Sequence, residues 1–154
     1  MIIIACGTIS SNLKMKLTGP NNKILVVAST GTILFQRKMD YMFYSQNIEN
    51  IYFDNISTKE TTSMMNTFSR TKVSYLDLTK FDFSHVTNME QFLYSCENLI
   101  SLKFGQQDFS NVTDMGYMFG ECTSLLFLDL SSLDTKSLIY ANNMFYNCNK
   151  LAYI

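Results

Sequence analysis

The sequence predicts an α/β solenoid, with a parallel sheet on one side, short helices on the other and a β-rich N-terminal cap. Three observations carry that expectation: a segment that recurs along the chain, an apolar stripe at helical spacing inside each copy, and a short alternating run after it.

The recurrence emerges when the chain is slid against itself. VTNMEQFLYSCENLISLKF, residues 86–104, returns as VTDMGYMFGECTSLLFLDL, residues 112–130, after a shift of 26 residues. LIYANNMFYNCNKLAYI opens a further copy at Leu138, and the segments 61–78 and 38–53 align once one residue is dropped. Four repeats and the start of a fifth therefore fill residues 39–154, whereas residues 1–38 follow the pattern poorly. A fixed period of this kind marks stacked architectures, in which no copy can bury its own apolar face and each is covered by its neighbours.

Within the copies, Met39, Met64, Met89, Met115 and Ala141 share one column, and Phe43, Phe68, Leu93, Phe119 and Phe145 stand four residues later. Cys96, Cys122 and Cys148 follow seven residues after the first column, where the early copies have Gln46 and Thr71. Positions spaced in this way meet on one face at 3.6 residues per turn, so the stripe predicts a helix of about two to three turns. Thr87 with Glu90 reads as a capping box at the start of that helix, and Thr113 with Asp114 as a weaker one. The runs Ile51-Tyr52-Phe53, Leu76-Asp77-Leu78, Leu102-Lys103-Phe104 and Leu128-Asp129-Leu130 alternate with a period of two, the pattern of a strand buried on one face. The polar return to the next copy carries apolar anchors, Ile56, Phe81, Phe83, Phe109 and Leu133, expected to pack inward. Before the repeats, the runs 13–17, 24–28 and 33–36, split by Gly19-Pro20-Asn21 and Gly31, predict a β-rich N-terminal cap or a decayed first repeat over residues 1–38.

The phrases VTNM, YMF, a Cys followed by Leu, LDL and FDFSHVT resemble the BspA-like leucine-rich repeats of bacterial surface proteins, over residues from about Met39 to the end. Similar repeats occur in some protists. The resemblance implies a leucine-rich-repeat solenoid, display on a cell surface or secretion, and binding of host or neighbouring-cell proteins. Two departures qualify it: no complete secretion or anchoring signal is present, and the sequence stops at Ile154, where a fifth strand should start. A fragment of a larger repeat protein and a cytoplasmic location are thus the competing expectations.

Composition narrows the function classes. The 154 residues are 47% apolar, which suits one domain with a continuous core. Twelve basic residues balance 13 acidic ones, so no phosphate-neutralising surface is visible and nucleic acid is a poor partner. No run approaches the roughly 18 apolar residues of a membrane helix. Ile3-Ile4-Ala5-Cys6-Gly7 looks like a lipoprotein cleavage box, but only five residues precede its cysteine, and a plain apolar strand is the favoured reading.

Individual residues give little sign of catalysis. Cys96, Cys122 and Cys148 are expected to stack as small buried free thiols, because ligands a whole repeat apart lack the close pairs of zinc sites and a disulfide would strand the third thiol. His85, the only histidine, reads as a solvated loop residue. Asp82, Asp108 and Asp134 recur in one column, where turn carboxylates accept bonds from nearby amides without an ion. No phosphate loop, nucleophile elbow or paired-His motif occurs. Neither an enzyme nor a cofactor is therefore expected.

The middle residues of the alternating runs, Tyr52, Asp77, Lys103 and Asp129, point away from the core, with Tyr75, Ser101 and Phe127 beside them. Exposed aromatics anchor many protein interfaces. Tyr52, Tyr75, Asp77, Lys103, Phe127 and Asp129 are accordingly the expected contact residues for a protein or glycan ligand on the strand face. The structural alternative is a cross-strand charge ladder from Asp77 through Lys103 to Asp129 that only supports the sheet, in a chain that acts as a spacer.

Overall fold

The structure, a computed structural model, describes residues 14–18, 24–28, 32–44 and 48–154. The lipoprotein-like box at Cys6, the Gly19-Pro20-Asn21 turn, Gly31 and Gln46 lie outside the described residues.

Among the described residues there are seven short strands: β1 (Lys14–Thr18), β2 (Ile24–Ala28), β3 (Ile33–Leu34), β4 (Asn50–Phe53), β5 (Ile56–Ser57), β6 (Tyr75–Asp77) and β7 (Ser101–Lys103). They form small separate sheets in the orders β1-β2-β4, β3-β5 and β6-β7. β1 runs antiparallel to β2, which pairs parallel with β4 so that Leu25 faces Ile51 and Val27 faces Phe53.

The expected α/β solenoid with helices is overturned: the described residues contain no helix, only short strands in small sheets joined by turns. The predicted helical segments are runs of overlapping turns. In the third copy Phe92 N donates to Met89 O, Tyr94 N to Gln91 O and Cys96 N to Leu93 O, each reaching three residues back. The N–H groups between them leave the copy altogether. Met89 donates to Asp114 O, Gln91 to Gly116 O and Leu93 to Met118 O, at 2.8–2.9 Å. The same alternation recurs in the other copies, as in Met64 to Asn88 O and Phe68 to Phe92 O. An α-helix instead sends its interior N–H groups four residues back within the same segment.

This exchange needs a backbone that a helix forbids. Tyr41, Asn66, Gln91, Tyr117 and Asn143, one column of the repeat, have φ between 52° and 58°, and Arg70, Ser95, Glu121 and Asn147 have φ between 58° and 62°. Left-handed residues cost roughly 1–2 kcal/mol each relative to the right-handed form. The bonds between copies hold them there. Successive copies are joined by single parallel bridges, Lys38 to Ser63, Ser63 to Asn88, Asn88 to Asp114 and Asp114 to Tyr140.

The capping boxes are corrected too. Thr87 Oγ1 donates to Thr62 O at 3.1 Å and Thr113 Oγ1 to Thr87 O at 3.0 Å, so these hydroxyls bond the preceding copy instead of capping their own segment.

The core is built from the repeat columns. Met39, Met64, Met89 and Met115 are fully buried, as are Phe43, Phe68, Leu93 and Phe119. Phe81, Phe83 and Phe109 enter from the return segments and form a run of rings, with Phe83 stacked on Phe109 at 5.0 Å and on Phe81 at 6.0 Å. Ile56 and Leu133 are half-buried. Buried polar groups are paired: Thr67 Oγ1 lies 2.7 Å from Met64 O and 3.0 Å from Met39 O, so its one hydrogen has an acceptor in its own copy or the preceding one, and no buried side-chain nitrogen or oxygen among the described residues lacks a partner. Unpaired buried polar atoms are costly, so this completeness keeps the turns in place.

Candidate functional site

The strand face is where aromatic side chains leave the core. In β4 the alternation buries Ile51 and Phe53 and leaves Tyr52 58% exposed; in β6 it buries Leu76 and leaves Tyr75 50% exposed. β4 and β6 belong to different sheets and are not hydrogen-bonded neighbours. At this break lies a cavity of about 340 Å³, lined by Tyr52, Tyr75, Asp77, Asn50, Thr79 and Lys80 over the strand backbones.

Polar groups at the cavity are held in fixed positions. Asp77 Oδ1 accepts from Thr79 N at 2.9 Å and from Thr79 Oγ1 at 2.6 Å, while the Tyr75 hydroxyl donates to Oδ2 at 3.5 Å. Partial burial pushes the Asp77 carboxyl up, but the Thr79 bonds and nearby Lys103 outweigh it and hold the group below the usual carboxylate range. Lys80 Nζ spans the break, donating to Phe53 O at 3.0 Å and to Asp54 Oδ1 at 3.2 Å.

The other expected contact residues lie further along. Lys103 stands opposite Asp77 in the β6–β7 register, and Ser101 opposite Tyr75. Phe127, 53% exposed, is bridged to Tyr153, 71% exposed. The face thus carries Tyr52 and Tyr75 on one cavity and Phe127 and Tyr153 on bridged backbones, and Ser101 stands in the row between Tyr75 and Phe127. Asp129 Oδ1 accepts from Ser131 N at 2.9 Å. The expected charge ladder is not built from contacts: ion pairs among the described residues are Lys72–Glu97, Lys80–Asp54 and Lys136–Asp134, and none includes Lys103.

Sequence reasoning missed Asn50, Thr79, Lys80 and Tyr153. Tyr153 had a signal, since it falls 26 residues after Phe127 in the same column. Nothing in the alternating pattern shows that the strand ladder breaks between β4 and β6, so the lysine that spans the break had none.

Away from this face, the thiols are hydrogen-bond donors. Cys96 Sγ donates to Phe68 O at 3.2 Å, Cys122 Sγ to Leu93 O at 3.2 Å and Cys148 Sγ to Phe119 O at 2.9 Å, each to the phenylalanine or leucine column of the preceding copy. Burial pushes the Cys96 thiol up to about 11 and raises Cys122 and Cys148 as well. A thiol whose folded pKa lies above the unfolded value of 9.0 stabilises the fold below pH 9 and loses that contribution as pH rises through 11. Between pH 8 and 11 the wild type should therefore lose on the order of 2–3 kcal/mol more stability than Cys96→Ala, measured by urea unfolding at each pH. Parallel pH profiles for the two proteins would contradict a protonated, buried thiol.

The aspartate column is committed to turns. Ser84 N and Oγ donate to Asp82 Oδ1 at 2.9 and 2.6 Å, Ser110 N to Asp108 Oδ1 at 2.8 Å and Lys136 N to Asp134 Oδ1 at 3.0 Å. These bonds hold the three carboxyls below the usual range. His85 is exposed, with Nδ1 3.1 Å from Ser84 Oγ. Among the described residues no group of His, Cys, Asp and Glu side chains could hold a metal ion, and no helix is long and apolar enough to cross a membrane.

Fold and surface define a repeat protein whose copies exchange backbone hydrogen bonds and whose strand face displays tyrosines. The chain belongs to the family described as Mycoplasma protein of unknown function, DUF285, whose profile matches residues 62–153, more than half of the sequence. That family is related to the BspA-like repeats, and the resemblance holds at this level. No curated protein and no solved structure matches the chain.

Proposed function

We propose that this chain is a non-catalytic binding module that holds a protein ligand on its strand face, in a cell-surface or secreted setting. The observation that carries the reading is the pair Tyr52 and Tyr75, exposed on either side of the cavity at the β4–β6 break. Two rings around a cavity of this size accept one apolar or aromatic side chain of a partner, the arrangement of an interface anchor. Asp77 and Lys80 supply fixed charges at its rim, which orient a partner more than they bind it. The surface setting and the leucine-rich character rest on the BspA-like resemblance alone, an association with a family and not a property of this site.

A spacer without a ligand is the second reading. It is favoured by Asp77 and Asp129, whose carboxylates are already used by the turns that follow them.

A peptide library displayed on phage and selected against the full chain separates the two readings. Selected peptides should lose at least about tenfold in affinity to Tyr52→Ala and to Tyr75→Ala, the loss expected of an anchor. Both variants should keep their unfolding free energy within about 0.5 kcal/mol, as surface substitutions do. Selection of no peptide, or of peptides indifferent to both substitutions, would leave the spacer as the better account.

A further inference from the structure

A second aromatic surface lies on the turn segments. The ring of Tyr94 meets that of Tyr117 at 6.1 Å and 86°, and Tyr117 meets Tyr146 at 6.2 Å and 70°, so three copies contribute to one continuous ridge. Gly120 makes it close-fitting: a Cβ there would stand 3.1 Å from Tyr94 Cδ2 and 3.2 Å from Tyr117 Cδ1. Asn143 Nδ2 donates to the Tyr117 hydroxyl at 2.8 Å and fixes that ring.

Glu121 belongs to the same ridge. Its backbone N donates to Tyr146 O at 2.7 Å, and its Oε2 accepts from Asn147 Nδ2 at 2.7 Å. No cation pairs with it, because the ion pairs of the described residues are Lys72–Glu97, Lys80–Asp54 and Lys136–Asp134.

The repeat shows what this arrangement accommodates. Tyr44 occupies in the first copy the column that Tyr94 and Tyr146 occupy in the third and fifth. Arg70 of the second copy lies over the Tyr44 ring, its guanidinium carbon 5.8 Å from the centroid. In Arg70's column the fourth copy has Glu121. The first copy thus covers its tyrosine with an arginine of the chain itself, whereas in that arginine's column the fourth copy carries a carboxylate, on a ridge where Tyr146 is exposed and Tyr94 and Tyr117 are half-buried.

We infer that the ridge of Tyr94, Tyr117 and Tyr146 with Glu121 is a docking surface for an arginine-bearing segment of a partner protein. A guanidinium stacks on tyrosine faces and forks onto a carboxylate, whereas an ammonium offers only a compact charge. Charge complementarity commits the surface to a cationic occupant, and the rings commit it to arginine over lysine. The surface is separate from the strand face and does not depend on a ligand there.

The test is titration of the isotopically labelled full chain with a blocked tri-arginine peptide and with its tri-lysine counterpart, followed by NMR. Shifts should concentrate on Tyr94, Tyr117, Gly120 and Tyr146, with the arginine peptide binding several-fold more tightly. Glu121→Gln, which keeps an acceptor for Asn147, and Tyr146→Leu should each weaken the arginine peptide at least about fivefold, while unchanged spectra elsewhere confirm the fold. Equal affinity for the two peptides would overturn the inference, as would shifts centred on Tyr52 and Tyr75, affinity unchanged by Glu121→Gln, or no binding of either peptide.

Discussion

Phe83→Ala will lower the unfolding free energy by about 3–5 kcal/mol, the cost of deleting a fully buried ring that its surroundings cannot refill. Phe83 is wholly buried. It stacks on Phe81 and Phe109 and meets Phe92 and Phe104 edge-on at 6.3 and 5.7 Å. Those rings are themselves buried, so none can fill the vacated space without opening another. Aromatic pairs also contribute about 0.5–1.5 kcal/mol each beyond area burial, and several are lost together. Urea unfolding followed by circular dichroism measures the effect. A loss below about 1 kcal/mol would mean that the phenylalanine run does not organise the core.

Gln91 gives the second large effect, and its sign distinguishes turns from a helix. With φ at 55° and its N–H donated to Gly116 O at 2.8 Å, Gln91 is incompatible with proline twice over. Gln91→Pro should cost about 3 kcal/mol or more, since proline locks φ near −65° and removes the donor. Gln91→Gly should instead stabilise the protein by about 0.5–1 kcal/mol, because glycine adopts the left-handed conformation without the penalty that a Cβ carries. In a helix the same glycine would cost about 1 kcal/mol. Thermal unfolding of the two variants beside the wild type decides: a destabilising glycine would restore the helix and refute the turns.

The apolar stripe marks burial in the first four copies but not a helical backbone, and in the fifth copy Ala141 is exposed while Phe145 and Cys148 are half-buried. Met89, Phe92, Leu93 and Cys96 are all buried, at the spacing of one helical face. Overlapping turns bury the same positions, so the stripe does not choose between the two conformations. Asn66, Asn143 and Asn147 were the available hint, since asparagine enters the left-handed region more readily than most residues. Tyr117, Gln91 and Glu121 have no such preference and adopt it because their N–H groups reach the next copy. Segments this short gain little from helix formation alone, as nucleation is costly and isolated short helices are marginal. The hydrogen bonds between copies therefore win.

The strand face was legible in part for a similar reason. Alternation identified Tyr52, Tyr75 and Phe127 as outward residues, and all three are exposed. It could not show that β4 and β6 part, nor that Lys80 would reach Phe53 O across the gap. The tyrosine ridge was not singled out from the sequence: Tyr94 and Tyr146 share a column, but the contribution of Tyr117 from a different column depends on the neighbouring copy and on the space at Gly120.

By itself the sequence determined most of the buried and outward positions of the first four copies, and that contacts recur every 25 or 26 residues, because apolarity and repetition are written residue by residue. Only the tertiary structure decided the path of the backbone. Whether an N–H turns back within its own copy or across to the next depends on carbonyls brought near from a distant part of the chain, such as Asp114 O for Met89 and Tyr140 O for Met115. A buried amide must find an acceptor, and stacking supplies one that no local segment contains.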